Sequence, residues 1–378
     1  MRDIIIVGAG LAGSGLAHSL ARRGWDVLLV ERDTFPRHKV CGEFLSPESQ
    51  GSLEALGLLD TVSGIGPTHM RHASLTAPSG RALRVELPGD AWGVSRYALD
   101  GALAAAAVRA GAEVRAGVSV AEVVPAAGGH VVRLRGPDGA EEVAARAAVL
   151  ACGRHPARGL RAREPRSPEQ TAVGVKCHLD DPGRAPDVEL FLFAGGYVGL
   201  APVEGGRTNL CMLASREALR RAGGSPRGLV EAAADWNPAL GRRLAGAALV
   251  EETLASVAPV DTDDAPAPWH GVARLGDAAV MIPPLCGDGM AMALRSAELC
   301  APLADGALRG ALTADQWEAT YRRVWRREFL PRVRTARWLQ SLLVAPGLAE
   351  LCVRGGALLP PLARAMVHAT RGSSRALA

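Results

Sequence analysis

The sequence predicts an α/β fold in which a Rossmann-like nucleotide-binding domain is interwoven with a second domain built on an antiparallel sheet and followed by a C-terminal helical tail. Three observations predict it: a glycine-rich turn after the first apolar run, alternating apolar and polar residues in the middle of the chain, and a helical pattern over 314–378. With 378 residues, the chain exceeds the size at which one core stops growing, so about two domains are expected.

The first strand-turn-helix unit has the glycine spacing of a dinucleotide-binding motif. An apolar run is followed by Gly8, Gly10 and Gly13, and the next apolar run ends at Glu31. Gly8 permits the tight turn, Gly10 lets the backbone approach a pyrophosphate, and Gly13 allows close packing of helix on strand. The helix N-terminus presents N–H groups to the phosphates. We expect Glu31 to accept hydrogen bonds from both ribose hydroxyls.

A second segment indicates that the nucleotide is FAD rather than NAD. The strand VARL leads into Gly276-Asp277, then a Pro-Pro loop, Gly287-Asp288-Gly289 and a long apolar helix. Asp277 can accept a ribityl hydroxyl, and the helix start directs N–H groups at a developing anion, which suits the reduced flavin ring. Between the two segments, the apolar strand AAVLA ends near Gly153, the third pass of the chain at the nucleotide.

These motifs together resemble a known family. GAGLAG, FPRHKVCGE, SRYALD, the strand ending in ACGR and the loop GDAAVMIPPLCGDG are similar to those of the FAD-dependent oxidoreductases that include geranylgeranyl reductases and single-component aromatic monooxygenases. The resemblance extends over nearly the whole chain and implies the glutathione-reductase type of FAD-binding domain. It also implies that Cys41-Gly42 lies beside the isoalloxazine and that Arg96 contacts the flavin.

The candidate cofactor-binding residues follow from the motifs themselves and from the family resemblance. Arg37 and Lys39 follow the second strand of the nucleotide unit and are expected to contact phosphate or ring oxygens. The full set is Gly8, Gly10, Ala12, Gly13, Glu31, Arg32, Arg37, Lys39, Cys41, Gly42, Arg96, Gly153, Gly276, Asp277, Pro284, Gly287, Gly289 and Met290.

The positions of the motifs set the predicted domain boundaries. Residues 1–70, 93–170 and 259–304 are assigned to the FAD-binding domain. Residues 71–92, which form a predicted hairpin, and 171–258 are assigned to the substrate domain, with a helical stretch over 216–245. Residues 305–378 form the C-terminal helices, with breaks expected at Pro346 and at Pro360-Pro361.

Composition excludes several other classes of protein. The 43 basic and 39 acidic residues are scattered, so no nucleic-acid-binding stripe is expected. The seven cysteines contain no CxxC pair, which indicates free thiols and no metal site. We expect a cytoplasmic protein with no membrane span, because Asp3 stands where a signal peptide needs positive charge and no long apolar stretch occurs. A monomer and a homodimer both stay open.

Three enzymatic functions compete at this stage. The leading expectation is NAD(P)H-dependent monooxygenation of an aromatic or polyketide-like small molecule of secondary metabolism, with dioxygen reacting through a flavin hydroperoxide. The alternative is reduction or dehydrogenation of a lipid-like substrate, as in geranylgeranyl reductases, although Gly199 replaces the Trp of that family's YxWxFP motif. A flavin-dependent halogenase is less favoured, because the WxWxIP motif is missing, and a flavin-binding module without activity completes the set.

Catalytic side chains are harder to identify from the sequence. Lys176 and His178 share one face of a predicted strand, so His178 is a candidate acid or base. Tyr197, in the stretch that matches YxWxFP, and Cys41 are the other candidates. Cys286 has no partner cysteine close in sequence and is expected to serve in packing. NAD(P)H is expected as a transient co-substrate, since no second GxGxxG motif is present.

Overall fold

A computed structural model describes residues 1–154, 160–161, 167, 171–345, 347–359, 361, 365 and 371. The predicted breaks at Pro346 and Pro360 lie outside the described residues. The N-terminal half contains, in order, β1 (Arg2–Val7), α1 (Leu11–Ala21), β2 (Val27–Glu31), β3 (Phe44–Leu45), α2 (Ser49–Ala55), α3 (Leu59–Ser63), β4 (Thr68–Thr76), β5 (Ala82–Gly93), α4 (Arg96–Arg109), β6 (Glu113–Ala116), β7 (Ser119–Ala126), β8 (Gly129–Gly136) and β9 (Gly139–Leu150).

The C-terminal half completes both sheets and ends in helices. It contains β10 (Ala172–Asp180), β11 (Val188–Phe193), β12 (Gly196–Pro202), β13 (Arg207–Ser215), α5 (Arg216–Arg221), α6 (Pro226–Trp236), α7 (Pro238–Leu244), β14 (Ala248–Val260), β15 (Trp269–His270), β16 (Val272–Arg274), α8 (Gly289–Leu308), α9 (Ala314–Val344) and α10 (Leu348–Leu358).

The first sheet has a parallel centre in the order β16-β9-β1-β2-β6, with β15 on one edge. β7 and β8 extend β9 as an antiparallel meander. Strands β1 and β2 are apolar and almost wholly buried, as expected for a parallel sheet covered on both faces. Helices α1, α4, α8 and α9 pack on one face, and the meander covers part of the other.

The second sheet has the order β14-β10-β13-β12-β11-β4-β5-β3. Its neighbouring strands are antiparallel except for β11 and β4, which run parallel. The parallel pair forms because β4 and β11 enter the sheet from separate passes of the chain. Helices α5, α6 and α7 pack on one face. The opposite face meets the loop before α8 and helices α9 and α10.

The predicted fold class is therefore confirmed: a Rossmann-like unit, a largely antiparallel second sheet and C-terminal helices. Strand β3 falls within the predicted FAD-binding stretch 1–70 but pairs with β5 in the second sheet. Because the chain crosses between the sheets several times, the loops that follow the strand ends bring the predicted motifs into one space.

The C-terminal helices contain prolines without ending at them. α8 continues through Pro302, and α9 continues through Pro331 for a total of 31 residues. Within the described chain, no single helix combines the length and apolar composition needed to cross a bilayer. Helices α9 and α10 reach that composition only as a pair with a sharp bend between them.

Candidate active site

A cleft between the two sheets collects most of the predicted cofactor residues. It has a cavity volume of about 150 Å³. Thirteen of the predicted residues line it: Gly10, Ala12, Lys39, Cys41, Gly42, Arg96, Gly153, Gly276, Asp277, Pro284, Gly287, Gly289 and Met290. The second sheet contributes Gly174, Tyr197, Cys211 and Leu213 to the opposite wall.

The glycine-rich turn forms one end of the cleft. A Cβ atom on Gly13 would overlap the carbonyl oxygen of Gly8, so only glycine lets α1 pack this closely on β1. A Cβ atom on Gly10 would meet only the Arg96 guanidinium, 3.6 Å away, and would otherwise extend into the cleft. Gly10 is the N-cap of α1 and has no capping side chain, so the first N–H groups of the helix are available to an anion.

Glu31 lies at the end of β2, behind this turn. Its carboxylate accepts a hydrogen bond from the Ala9 N–H at 2.9 Å and pairs with the Arg37 guanidinium at 3.1 Å. Arg37 also pairs with Asp33. Glu31 and Arg37 are therefore ion-paired with each other, and Glu31 could accept hydrogen bonds from a ribose only if Arg37 moved. Gly8, Gly13, Glu31, Arg32 and Arg37 do not line the cleft.

Three cationic side chains, Lys39, Arg96 and Arg154, line the cleft near the glycine turn. Arg96 is held by Asp100, with nitrogen–oxygen distances of 2.6 and 2.7 Å, and Arg154 donates to the Val40 carbonyl at 3.1 Å. Burial, together with the positive charge of Arg96 and against the opposing effect of Asp100, lowers the pKa of Lys39 to about 8. Repulsion among these cations would be relieved by a bound pyrophosphate.

The loop before α8 forms the other end of the cleft. Gly287 has φ +70° and turns the chain into α8, whose N-terminal residues Gly289 and Met290 line the cleft. Asp288 is buried and turned away from the cleft toward Arg332 at 3.0 Å and Arg371 at 2.5 Å. Because Asp288 does not cap the helix with its side chain, the N–H groups of the first turn stay available to a ligand.

Hydrogen bonds hold the turn Cys41–Glu43 in place. The Asn209 side chain donates to the Cys41 carbonyl at 3.0 Å. Gly42, between Cys41 and Glu43, lines the cleft. The Val94 N–H donates to the Glu43 carbonyl at 3.1 Å.

Sequence reasoning missed Glu43. Its carboxylate is fully buried and lies 3.0 Å from Lys176 Nζ and 2.7 Å from His178 Nε2, and it also accepts the Arg96 N–H at 3.0 Å. Burial alone would raise the pKa of Glu43, but the hydrogen bond from His178 and the charge of Lys176 outweigh it and hold the pKa below its usual range. Glu43 has φ +54°, an uncommon conformation for a residue other than glycine. The signal was its place directly after Cys41-Gly42.

The three predicted catalytic residues occupy different places. Cys41 and Tyr197 line the cleft. Burial raises the pKa of the Tyr197 phenol well above its usual value, so the hydroxyl stays protonated at neutral pH. His178 does not line the cleft and reaches it through Glu43. In the described part of the chain, no cluster of His, Cys, Asp and Glu side chains is arranged to hold a metal ion.

Comparisons with known proteins agree with this geometry. Residues 1–313 match the model of the FAD binding domain family. The chain belongs to the FAD binding domain family. It is therefore an FAD-dependent oxidoreductase, and the predicted membership of that superfamily is confirmed.

Similar proteins have several activities. The chain is 29% identical over 320 residues to menaquinone reductase of Mycobacterium tuberculosis, covering 80% of this chain and 76% of that protein. It is 29% identical over 347 residues to digeranylgeranylglycerophospholipid reductase 2 of Methanopyrus kandleri, covering 86% and 83%. The solved structure of the myxobacterial chondrochloren halogenase CndH superposes with a TM-score of 0.76 at 26% identity, covering 86% of this chain and 79% of CndH.

The first prediction concerns Gly10. Gly10→Val should fold, because the new side chain meets only the end of Arg96 within the protein, but it should lose FAD because the side chain enters the cleft where the pyrophosphate approaches. We expect a colourless protein whose circular dichroism matches that of the wild-type apoprotein. Gly101→Ala, a helical position with open space around it, is the control and should stay yellow. A folded Gly10→Val protein with stoichiometric FAD would contradict the assignment.

The second prediction concerns pH. Lys39 in the free protein loses its proton above about pH 8, whereas a pyrophosphate favours the ammonium form, so binding takes up a proton at high pH. FAD affinity should be constant below pH 8 and fall by up to about tenfold per pH unit above it. Lys39→Arg keeps its charge and should remove this decline. Equal pH profiles of the dissociation constant for the two proteins would contradict a Lys39–phosphate contact.

Proposed function

We propose that this oxidoreductase reduces carbon–carbon double bonds in an extended apolar substrate of the isoprenoid type. The observation that carries the proposal is an apolar groove with a cavity volume of about 320 Å³ beside the flavin end of the cleft. Its walls come from β4, β5, β11, α9, α10 and the loop before α8.

The groove and the cleft share one wall. Pro284 and Gly287 line the cleft, whereas Leu285 and Cys286, between them in sequence, line the groove. Tyr197 and Met281 from the cleft pack in one apolar cluster with Leu285 and with Leu343 of the groove. A substrate held in the groove therefore lies against the segment that surrounds the flavin end of the cleft.

The lining of the groove favours a long hydrocarbon. Leucine and valine side chains of the second sheet face Trp338, Leu339 and Leu342 of α9. Ser74 and Arg371 are the few polar lining residues. Burying hydrocarbon here gains about 25 cal/mol per Å² of apolar surface. Burial raises the pKa of the Cys286 thiol to about 12, so this residue also presents an uncharged surface.

The relatives support the same substrate class. Menaquinone and geranylgeranyl lipids both carry isoprenoid chains, and the proteins named for them match most of this chain. Gly199, which replaces the Trp of YxWxFP, lies two residues from Tyr197 on β12, and a Cβ atom there would meet Leu190 of the groove wall at 3.3 Å. Leu190 occupies the space beside Gly199. The glycine in place of the family's Trp therefore changes the shape of the groove wall, but the wall remains apolar.

Each part of the site has a role in this reaction. FAD, held by the glycine turn, the cations and the α8 N-terminus, would supply hydride chemistry, with NAD(P)H as the proposed source of electrons. The groove binds and orients the chain, and the cluster around Tyr197 excludes water. The second hydrogen must arrive as a proton. Tyr197 and Cys41 line the cleft, and they are the candidate donors of this proton.

Monooxygenation of a small aromatic molecule is the second candidate. It is favoured by the apolar side chains that the second sheet and neighbouring loops present to the cleft itself, among them Leu213, Val260 and Met281. A substrate that fits within the cleft would not need the groove. The two candidates therefore differ in the place where the substrate binds.

The third prediction separates them by product. The FAD-loaded protein, reduced with NAD(P)H without oxygen and mixed with a geranylgeranyl lipid or menaquinone, should yield a product with two added hydrogens per double bond and no added oxygen. Ala73→Trp, in the groove wall, should abolish product formation but keep FAD, whereas Arg71→Trp, exposed on the same strand, should leave both unchanged. No reduced product without oxygen, together with product that carries one labelled oxygen atom in a parallel reaction under labelled dioxygen, would overturn the reductase in favour of the second candidate.

A further inference from the structure

Large apolar side chains are exposed together at the C-terminal end of the described chain. Trp338 on α9 is 57% exposed, and Leu351 and Leu358 on α10 are 62% and 80% exposed. Leu348 and Leu359 are exposed beside them. Elsewhere in the described chain, exposed large apolar residues such as Tyr97 and Val108 lie on a different helix, α4. Several exposed large apolar side chains in one part of a chain are uncommon on a protein surface that contacts only water.

This apolar surface borders the opening of the groove. Trp338 lines the groove and is also exposed. On α10, Cys352 and Gly355 line the groove, while Leu351 and Leu358 beside them in sequence are exposed. A molecule that leaves the groove past α10 therefore meets apolar side chains before it meets water.

Arginines accompany the apolar side chains. Arg323, Arg327 and Arg334 on α9 and Arg354 on α10 are exposed, and none of them forms an ion pair with another residue that the structure describes. Arg327, Arg334 and Trp338 are spaced by seven and four residues, which places them on one face of α9. Guanidinium groups that share a helix face with Trp338, and that pair with no acidic side chain among the described residues, are complementary to an anionic surface with an apolar interior.

We propose that the surface formed by Trp338, Leu348, Leu351, Leu358, Leu359 and the neighbouring arginines docks on anionic lipid bilayers. The apolar side chains enter the boundary between headgroups and acyl chains, and the arginines bind lipid phosphates. Trp is well suited to this boundary, because its ring is apolar while its N–H can bond to polar groups. As a consequence that rests on the proposed function, the groove opens toward the bilayer, where an isoprenoid substrate is dissolved.

The fourth prediction is tested by sedimentation of the full-length, FAD-loaded protein with vesicles. It should bind vesicles of phosphatidylcholine mixed with phosphatidylglycerol, bind pure phosphatidylcholine weakly, and dissociate as salt rises. Trp338→Glu combined with Leu351→Glu should lower vesicle affinity at least about tenfold. Replacing Arg327 or Arg334 by Glu should lower it by about fivefold each. Val108→Glu, at an exposed apolar position on α4, is the matched control and should bind like the wild type.

A second measurement locates the contact. Brominated lipids should quench part of the tryptophan fluorescence, and Trp338→Phe should remove that quenching. Each variant keeps its FAD absorbance if folded, because the altered side chains lie outside the cleft. Equal sedimentation with and without phosphatidylglycerol, or unchanged binding by Trp338→Glu/Leu351→Glu, would overturn the proposal. The proposal would also be overturned if the protein were a dimer that does not bind vesicles and that Leu351→Glu dissociates, because the surface would then bind a second copy of the chain.

The vesicle assay contains no substrate, so it is independent of the proposed reaction. A protein that binds anionic vesicles but reduces no double bond would contradict the proposed function alone. A protein that reduces an isoprenoid lipid in detergent but ignores vesicles would contradict the docking surface alone.

Discussion

The carboxylate of Glu43 anchors the cleft-lining turn Cys41–Glu43 to the second sheet. Glu43 ends the loop that runs from β2 of the first sheet to β3 of the second, and its partners Lys176 and His178 belong to β10 of the second. The N–H of Arg96, at the start of α4, completes its hydrogen bonds. The turn that carries Cys41 can therefore lie only where these donors place it. Because Cys41 lies two residues before Glu43 in this turn, the position of Cys41 in the cleft depends on the same cluster.

Burying the charged groups of this cluster costs free energy, and this cost accounts for the location of the cluster beside the cleft. Glu43 and Lys176 are wholly buried, and buried charges are tolerated only when each is paired and hydrogen-bonded. The positive φ of Glu43 adds strain of order 1–3 kcal/mol. Groups of this kind concentrate where a geometry must be fixed for function. The cluster extends toward solvent through His38, 3.1 Å from Lys176 Nζ and stacked on the exposed ring of Tyr97.

The sequence predicted the fold and the general location of the cleft, because these depend on local patterns. Gly13 is required because a side chain there would overlap the Gly8 carbonyl, five residues earlier in the chain. The start of α8 at Gly289 is likewise a local feature, because it follows from the glycine-rich loop directly before it. The partner of Glu43 could not be predicted, since Lys176 lies 133 residues away and only the crossing of the chain between sheets brings them together. Arg37 was expected at a phosphate but pairs with Glu31, six residues earlier, because the loop after β2 turns its guanidinium back to the end of the strand. The apolar groove was also missed, because its walls come from β4, β11 and the C-terminal helices.

A double-mutant cycle on Glu43 and Lys176 tests most directly whether this buried pair holds the turn that lines the cleft. Glu43→Gln leaves Lys176 without its charge partner, and Lys176→Met leaves the carboxylate without one. We expect each to lower the free energy of unfolding in urea by about 3–5 kcal/mol. The double variant should be destabilised by less than the sum of the two, by about 1–3 kcal/mol, because the second change removes a charge that the first left unpaired. Additive effects, or single changes below about 0.5 kcal/mol, would contradict the dependence of the cleft on Glu43.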